Sequence, residues 1–306
     1  MRLSLPFVLV VALSQQACLK TIALNSVADA MSGQGSAFSS DEDPELVADA
    51  VPFALKTMES LMPELPEHAA LRLAACSGFV QYGFAFVLTP AKLTGNINVE
   101  RVASLRAKKL FLRARKYCIA ALDIAHPGFA KAVTEDLSAL SDKTKVIAEM
   151  TAEDVPALYW LSAATALSVT SLKEQVDMVP HLPVVDVLIH RALALNPTWD
   201  KGTLYEFLIA FDGGRSETMG GSPKRAREAY AKAVELSAGK RVSPHVSLAE
   251  NVSVSEQNRK EFDALLDKAL AVDLDAEPES RLGNVIARRR AEKLKQTADD
   301  LILGDD

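Results

Sequence analysis

The sequence predicts an all-α fold: a degenerate helical repeat array (α-solenoid) that ends in a C-terminal capping helix. Three observations lead there. Ala226, Ala229, Tyr230, Ala233 and Leu236 fall at offsets 0, 3, 4, 7 and 10. This is one face of an α-helix, with Lys224, Arg225, Arg227, Glu228 and Lys232 placed elsewhere on it. The same offsets recur at Ala107, Leu110, Phe111, Ala114, Tyr117, then at Val185, Leu188, Ile189, Ala192, Leu195, and again at Phe262, Leu265, Leu266, Ala269, Val272. Every copy has alanine in fourth place. Those alanines, Ala114, Ala192, Ala233 and Ala269, are separated by 78, 41 and 36 residues, near one or two multiples of a helix-pair unit of roughly 34 to 40 residues. Finally, a hydrophobic content of 49% with only 6% aromatic residues favours alanine- and leucine-rich helix packing. The competing reading is a set of ordinary amphipathic helices in an unrelated α-domain; the shared alanine offset and the period decide against it.

The chain opens on a module of its own. Met1 and Arg2 form a short positive region, Leu3 to Leu13 is apolar but short for a bilayer span, and small Ala17 precedes Cys18. Residues 1–17 therefore read as a secretory signal peptide. A cysteine straight after a small residue also resembles a bacterial lipoprotein signal, in which Cys18 is lipidated and becomes the mature N-terminus. Gln15 and Gln16 depart from that pattern, which usually has an aliphatic residue three before the cysteine; export without lipidation is the alternative. Leu19, rather than aspartate, after the cysteine is consistent with transport to an outer membrane. The expected location is the periplasm, with the lipid on Cys18 as membrane anchor and no need of a spanning helix. No later run is read as approaching the ~18 apolar residues of a span.

Residues 18–43 are then a lipidated cysteine and tether: Leu19 to Met31 has a mild helical pattern, and Ser32 to Asp43 is polar. The repeat domain occupies residues 44–306 and holds about four degenerate repeats, one for each copy of the offset pattern. Asp43 caps a helix from Pro44 to about Leu61, which Pro63 and Pro66 terminate. Ala69 to Leu88 is apolar nearly all round and is expected to be buried. Asn98 to about Leu122 follows, ended by His126, Pro127 and Gly128. Further helices are expected near Phe129 to Leu140, at Pro156 to Val169, at Val184 to Leu195 after Pro180 and Pro183, and at Thr203 to Phe211. Ser222 is the N-cap and Pro223 the first residue of the helix that runs to Leu236, with Gly239 just beyond and Glu228 to Lys232 as a favourable i, i+4 pair. Pro244 to Val252 and Glu256 to Val272 come next, and Glu279 to Leu303, with a basic face, caps the array.

The remaining signals exclude more than they assign. The 34 basic and 40 acidic residues give a net charge of −6 with signs mixed, and no basic patch interleaved with aromatics suggests nucleic-acid binding. Gly213, Gly214, Gly220 and Gly221 precede a helix start, but their spacing does not fit a phosphate loop and no strand precedes them. A structural loop is expected there. Asp186 and His190, with His181 nearby, lack the further ligands a zinc site needs, so no metal and no cofactor is expected. No nucleophile motif or flagged carboxylate pair argues for an enzyme. Cys76 and Cys118 fall on neighbouring expected helices, where pairing is open to them in an oxidising compartment; the favoured reading is that both are buried small residues. In a repeat superhelix the first helix of each pair lines the concave face. Tyr82, Phe86, Tyr159, Trp160, Tyr205 and Phe211 are accordingly the candidate ligand-binding residues, although each taken alone fits a core position as well.

The alanine at the fourth offset, the large residue three before it, and the ending ALALNPTWDKG (Ala192 to Gly202) resemble tetratricopeptide repeats. The chain as a whole is similar to the TatT family, the lipoproteins with tetratricopeptide-like repeats associated with TRAP transporters. The stretches that carry the likeness are Leu19 to Lys56, His190 to Gly214, Gly220 to Asp273 and Arg281 to Leu294. The resemblance implies a periplasmic, membrane-tethered helical protein that associates with the substrate-binding protein of a TRAP transporter. It also implies a channel suited to a small hydrophobic ligand, and trimers in some members. The competing class is a repeat lipoprotein that acts as an envelope-assembly scaffold and grips peptides or proteins; the nearly apolar Ala69 to Leu88 argues against its polar open groove.

Overall fold

The computed structural model describes residues 24–33, 38–135, 137–171 and 176–303. The signal peptide, Cys18 and the start of the tether lie outside the described residues. Among those described the secondary structure is helical throughout, with no strand.

A helix at 24–32 (α1) buries Ala28. Helix α2, Pro44–Leu61, starts where expected, with the Asp43 carboxylate accepting from the Leu46 N–H at 3.0 Å. Helix α3, Ala69–Tyr82, is capped by His68 Nδ1, which accepts from the Leu71 N–H at 3.1 Å. It continues through Gly83–Leu88 and Thr89–Leu93. Helix α4, Ile97–Ala125, is 29 residues long and capped by Asn96.

The helix expected from Phe129 to Leu140 is shorter, Phe129–Thr134. The Thr134 hydroxyl donates to the Ala130 carbonyl at 2.7 Å, a side-chain bond that competes with helix propagation. Helices α5 (Val155–Thr170), α6 (Leu182–Leu195), α7 (Thr203–Gly213) and α8 (Pro223–Leu236) follow. Ser222 caps α8 by accepting from the Arg225 N–H. Along α8 the salt bridges differ from the expected pair: Lys232 reaches Glu235 at 2.8 Å and Glu228 faces Lys224 at 3.9 Å. Helix α9 is Ser243–Leu248, extended by Ala249–Ser253; α10 is Arg259–Ala271 and α11 is Arg281–Gln296.

Helices adjacent in sequence pack as pairs: α3 with α4, α5 with α6, α7 with α8, α9 with α10. The four recurring alanines sit in the second helix of each pair, and all are buried: Ala114, Ala192 and Ala269 at 0% and Ala233 at 2% exposure. Small residues in these seams let neighbouring helices approach closely, and the surrounding leucines and valines remove apolar area from water at about 25 cal/mol per Å².

Helix α11 does more than cover the end of the array. It packs on α9 and α10 and also touches α2 and the Thr89–Leu93 segment. Arg289 pairs with Glu45 at 2.5 Å, and the Leu282 N–H donates to the Ser39 carbonyl at 3.0 Å. The C-terminal helix thereby brings the two ends of the helical body together.

Cys76 on α3 and Cys118 on α4 form a disulfide with Cα atoms 5.4 Å apart. Both residues are fully buried, so the expectation of burial is met and that of unpaired thiols is corrected. The continuous helix Ala69–Leu93 and the helical stretch Asp177–Leu195 are, by length and composition, apolar enough to cross a membrane, contrary to the reading that no later run approaches this. Their core-facing residues, including Leu71, Phe79, Val185 and Leu188, are buried in the helical body.

The glycine-rich turn before α8 is a tight structural loop. An ideal Cβ on Gly221 would lie 1.9 Å from the Arg215 carbonyl oxygen, a position no side chain can share with backbone. Arg225 donates to Asp212 at 2.7 Å and to the Gly220 carbonyl at 2.6 Å, and Arg215 donates to the Phe211 carbonyl at 2.7 Å. The loop's glycines thus serve backbone packing around the buried Asp212.

Candidate functional site

Two helices of the body widen for one turn. Gly83–Leu88 and Ala249–Ser253 are both π-helical, a geometry that inserts a residue into the helical ring, rotates the side chains beyond it, and is frequent at functional sites. Glycine allows the close packing at each. A Cβ on Gly83 would lie 2.7 Å from Phe111 Cε1 on α4, and one on Gly213 would lie 2.7 Å from Val252 Cγ2 in the second wide turn. The first turn presents Phe84 and Leu88, and the second presents Glu250, to a cavity of about 290 Å³ whose other wall is α11, through Arg290 and Leu294.

The polar side of this cavity is centred on Arg290. Its guanidinium donates to the Glu250 carboxylate and lies 5.4 Å from the centroid of the Phe84 ring, within cation–π range. Burial pushes the Glu250 carboxyl up, but Arg290 and Lys92 outweigh it and hold the group below its ordinary value. Lys92 and Lys293 also line the cavity and, among the described residues, form no ion pair. Asp300 is the remaining charged group at the wall. With Glu250 matched to Arg290, two ammonium groups face one carboxylate.

The six aromatic residues singled out from the sequence fall into separate groups. Tyr159 on α5 is the hub of the larger one. Its ring lies 4.7 Å from Trp160, 5.1 Å from Trp199 and 6.2 Å from Phe207, and Phe207 stacks on Phe211 at 5.4 Å. Arg215 covers Phe211 from 3.5 Å. Tyr205 is half-buried on the same helix as Phe207 and makes no ring contact with this group among the described residues. Tyr82 and Phe86 form the second group, with centroids 6.0 Å apart and Arg106 donating to the Tyr82 hydroxyl at 3.3 Å.

Beside the larger group, Glu206 on α7 is driven up from its ordinary value by burial, against the opposing pull of Arg241. Burial, with the nearby Glu206 and Asp200, likewise raises the Tyr159 hydroxyl. Arg241 is anchored by Asp200 at 2.9 Å and by the Thr203 hydroxyl at 2.5 Å. This is a charged lining around an aromatic cluster, and every carboxylate in it has a basic neighbour.

Sequence reasoning missed Phe84, Glu250 and Arg290. The residues selected from the sequence, Tyr82 and Phe86, flank Phe84 and rest on the expectation that the first helix of each pair lines the concave face. Arg290 was legible only within the basic face of the helix expected from Glu279 to Leu303 to cap the array. The pairing of Asp186 with His190 comes to little chemically: His190 Nδ1 lies 2.8 Å from the Asp186 carbonyl oxygen within its own helix, and His181 faces Arg115 at 3.2 Å. Among the described residues no group of histidine, cysteine and acidic side chains comes together in a way that could hold a metal ion.

Comparison with known proteins adds two findings. Residues 40–302 match the profile of the family described as TAtT, TRAP transporter T-component. A protein of Treponema pallidum (strain Nichols), described as uncharacterized, is 31% identical over 271 residues, which span 87% of this chain and 82% of that one. The match takes in all the helices from α2 to α11 together with the cavity they enclose, and a periplasmic, membrane-associated role fits it.

Proposed function

Because the chain belongs to the TRAP transporter T-component family, an accessory component of the transporter, we propose how it serves that role: it docks on the transporter's periplasmic substrate-binding protein and takes up or hands over a small hydrophobic organic ligand. The role is one of association and transfer, without catalysis. The observation that carries the proposal is the family match over residues 40–302. Support comes from the helix pairs, which we read as a tetratricopeptide-like array over residues 44–306, and from the apolar and aromatic residues that face its interior. In this reading a lipid on Cys18 holds the body at a membrane, the outer membrane where one is present. The tether up to Asp43 sets its reach, and a homotrimer is its assembled form.

The test is co-purification. Bait made from the full chain is expected to recover the cognate periplasmic substrate-binding protein in a defined complex. Recovery of outer-membrane assembly proteins in its place would sink the proposal and favour the scaffold alternative. Within the same proposal Tyr82, Phe86, Tyr159, Trp160, Tyr205 and Phe211 line the ligand's path. A Trp160→Asp variant that keeps its helical circular dichroism is expected to slow ligand exchange with the binding protein at least several-fold; an unchanged rate would remove Trp160 from that path.

A further inference from the structure

We infer that the start of α4 is a membrane-docking tip: Ile97, Val99, Val102 and Leu105 enter the interfacial layer of a bilayer, and Arg101, Arg106 and Lys109 meet its anionic phospholipid headgroups. The inference rests on the reading that the body is held at a membrane, and it names the face that the body turns to that membrane. Helix α4 begins before its packing does. Its first buried residue is Ser104, so Ile97 to Ala103, about 10 Å of helix at 1.5 Å per residue, contains none. Thr94 to Val99 are all exposed, and a Cβ on Gly95, in the turn that leads into the helix, would meet nothing within 4 Å.

This overhang is apolar without a structural need to be. Four of the ten exposed large apolar residues among those described fall between Ile97 and Leu105, with Ile97 at 79% and Val102 at 69% exposure, so they form a patch and are not single scattered side chains. Isoleucine and valine are also poorer helix formers than the alanine, leucine and lysine that follow them in α4. Neither the core nor the helix itself accounts for them, whereas an interfacial layer does.

Charge selects the kind of surface. The chain as a whole carries a net charge of −6, which an anionic bilayer repels. Between Ile97 and Lys109, however, the basic residues are Arg101, Arg106, Lys108 and Lys109 and the only acidic one is Glu100. Lys108 is buried and bonded to Asp177 at 2.6 Å. The other three basic residues are exposed, and Arg106 lies 3.3 Å from the Tyr82 hydroxyl. Arg106 and Lys109 follow all four apolar residues along the helix, so with the tip immersed their long stems keep the charged ends at headgroup depth. A second copy of the chain is a poorer occupant, because it would set the same cations against each other, and four side chains fall well short of the roughly 800 Å² per partner of a stable interface.

The tip also projects on the side where the tether arrives. Helix α11 touches both α2, through Glu45, and the Thr89–Leu93 segment that leads by way of Gly95 into α4. The start of α2, which the tether enters, and the start of α4 are thereby held at one end of the body.

The experiment is co-sedimentation of the mature chain, carrying Cys18→Ser so that no lipid contributes, with vesicles of mixed phosphatidylglycerol and phosphatidylethanolamine and with vesicles of phosphatidylcholine alone. Saturable binding to the anionic vesicles is expected, at least tenfold tighter than to phosphatidylcholine and weakened by salt. I97N/V102N should weaken it at least tenfold, and R101Q/K109Q should reduce it to the phosphatidylcholine level, with helical circular dichroism unchanged in both. Binding that neither pair alters, equal binding to the two kinds of vesicle, or no binding to either would overturn the inference. So would a change of oligomeric state by I97N/V102N without an effect on vesicles, which would assign the face to a second copy, or loss of the co-purifying substrate-binding protein without such an effect, which would assign it to that partner. The tether reading is decided separately, by the mass of the N-terminal peptide of the exported wild-type protein: a lipid found on Cys18 beside a Cys18→Ser chain that ignores vesicles would refute the tip and leave the tether standing.

Discussion

Removing the Cys76–Cys118 bridge is expected to lower the free energy of unfolding by about 4 kcal/mol, the loop-closure value for a ring of this size. The bridged residues are 42 apart in sequence, so the oxidised unfolded chain loses a large share of its conformational freedom and the reduced one regains it. Both sulfurs are fully buried where α3 packs on α4. The variant to use is C76A/C118A, because alanine leaves no polar atom in that contact and adds only a small cavity. The measurement is chemical denaturation of the double variant beside the oxidised parent, followed by far-ultraviolet circular dichroism, with the parent assayed for free thiols. Matching midpoints at equal slopes would show that the bridge contributes nothing. A bridge of this kind also suits an exported protein, since disulfides persist where the compartment is oxidising.

Acid is expected to cost the protein stability through His245. This residue, at the start of α9, is only 5% exposed, and its Nδ1 lies 2.9 Å from the Tyr230 hydroxyl on α8. Burial, with a smaller push from the charge of Lys268, brings its pKa down from 6.5 to about 4. The folded state therefore binds fewer protons than the unfolded state between those values, and stability rises with pH across that window. The neutral form's contribution is complete above pH 6.5, is lost progressively as pH falls toward 4, and changes no further below it. The shift corresponds to about 3 kcal/mol. His181 titrates in the same direction, lowered by burial and by Arg115, so the informative quantity is a difference. The stability of the parent minus that of His245→Gln, plotted against pH, should slope between 6.5 and 4; a flat difference would show that His245 is not held neutral by the fold.

Much of the fold can be read from local patterns. Asp43, Asn96 and Ser222 cap helices because short polar side chains accept from free backbone N–H groups, a property that depends on residue type and neighbours alone. The offsets that place Ala114, Ala192, Ala233 and Ala269 in buried seams are equally local, since the period of a helix is set by backbone geometry. The pairing of Glu228 was misjudged for a reason of the same scale. Lys224 and Lys232 both lie within its reach, and the rotamers that choose between them follow from surroundings the chain order does not display.

The cavity required three dimensions. Phe84 and Glu250 are 166 residues apart in the chain, and nothing in either neighbourhood announces that they meet. What joins them is the return of α11 to α2 and to the end of α3, a long-range packing choice made by many weak apolar contacts at once. The π-helical turns are of the same origin. A regular helix across Gly83 is the local expectation, and at the wide turn that replaces it α3 lies against Phe111 closely enough to exclude a methyl group. Helix positions, seams, caps and family membership were thus present in the order of residues, since each rests on short-range periodicity or on recurrence along the chain. The disulfide partner, the register of Phe84 and the matching of Glu250 to Arg290 came from tertiary packing, because each depends on distances between segments that only the closed helical body brings within reach.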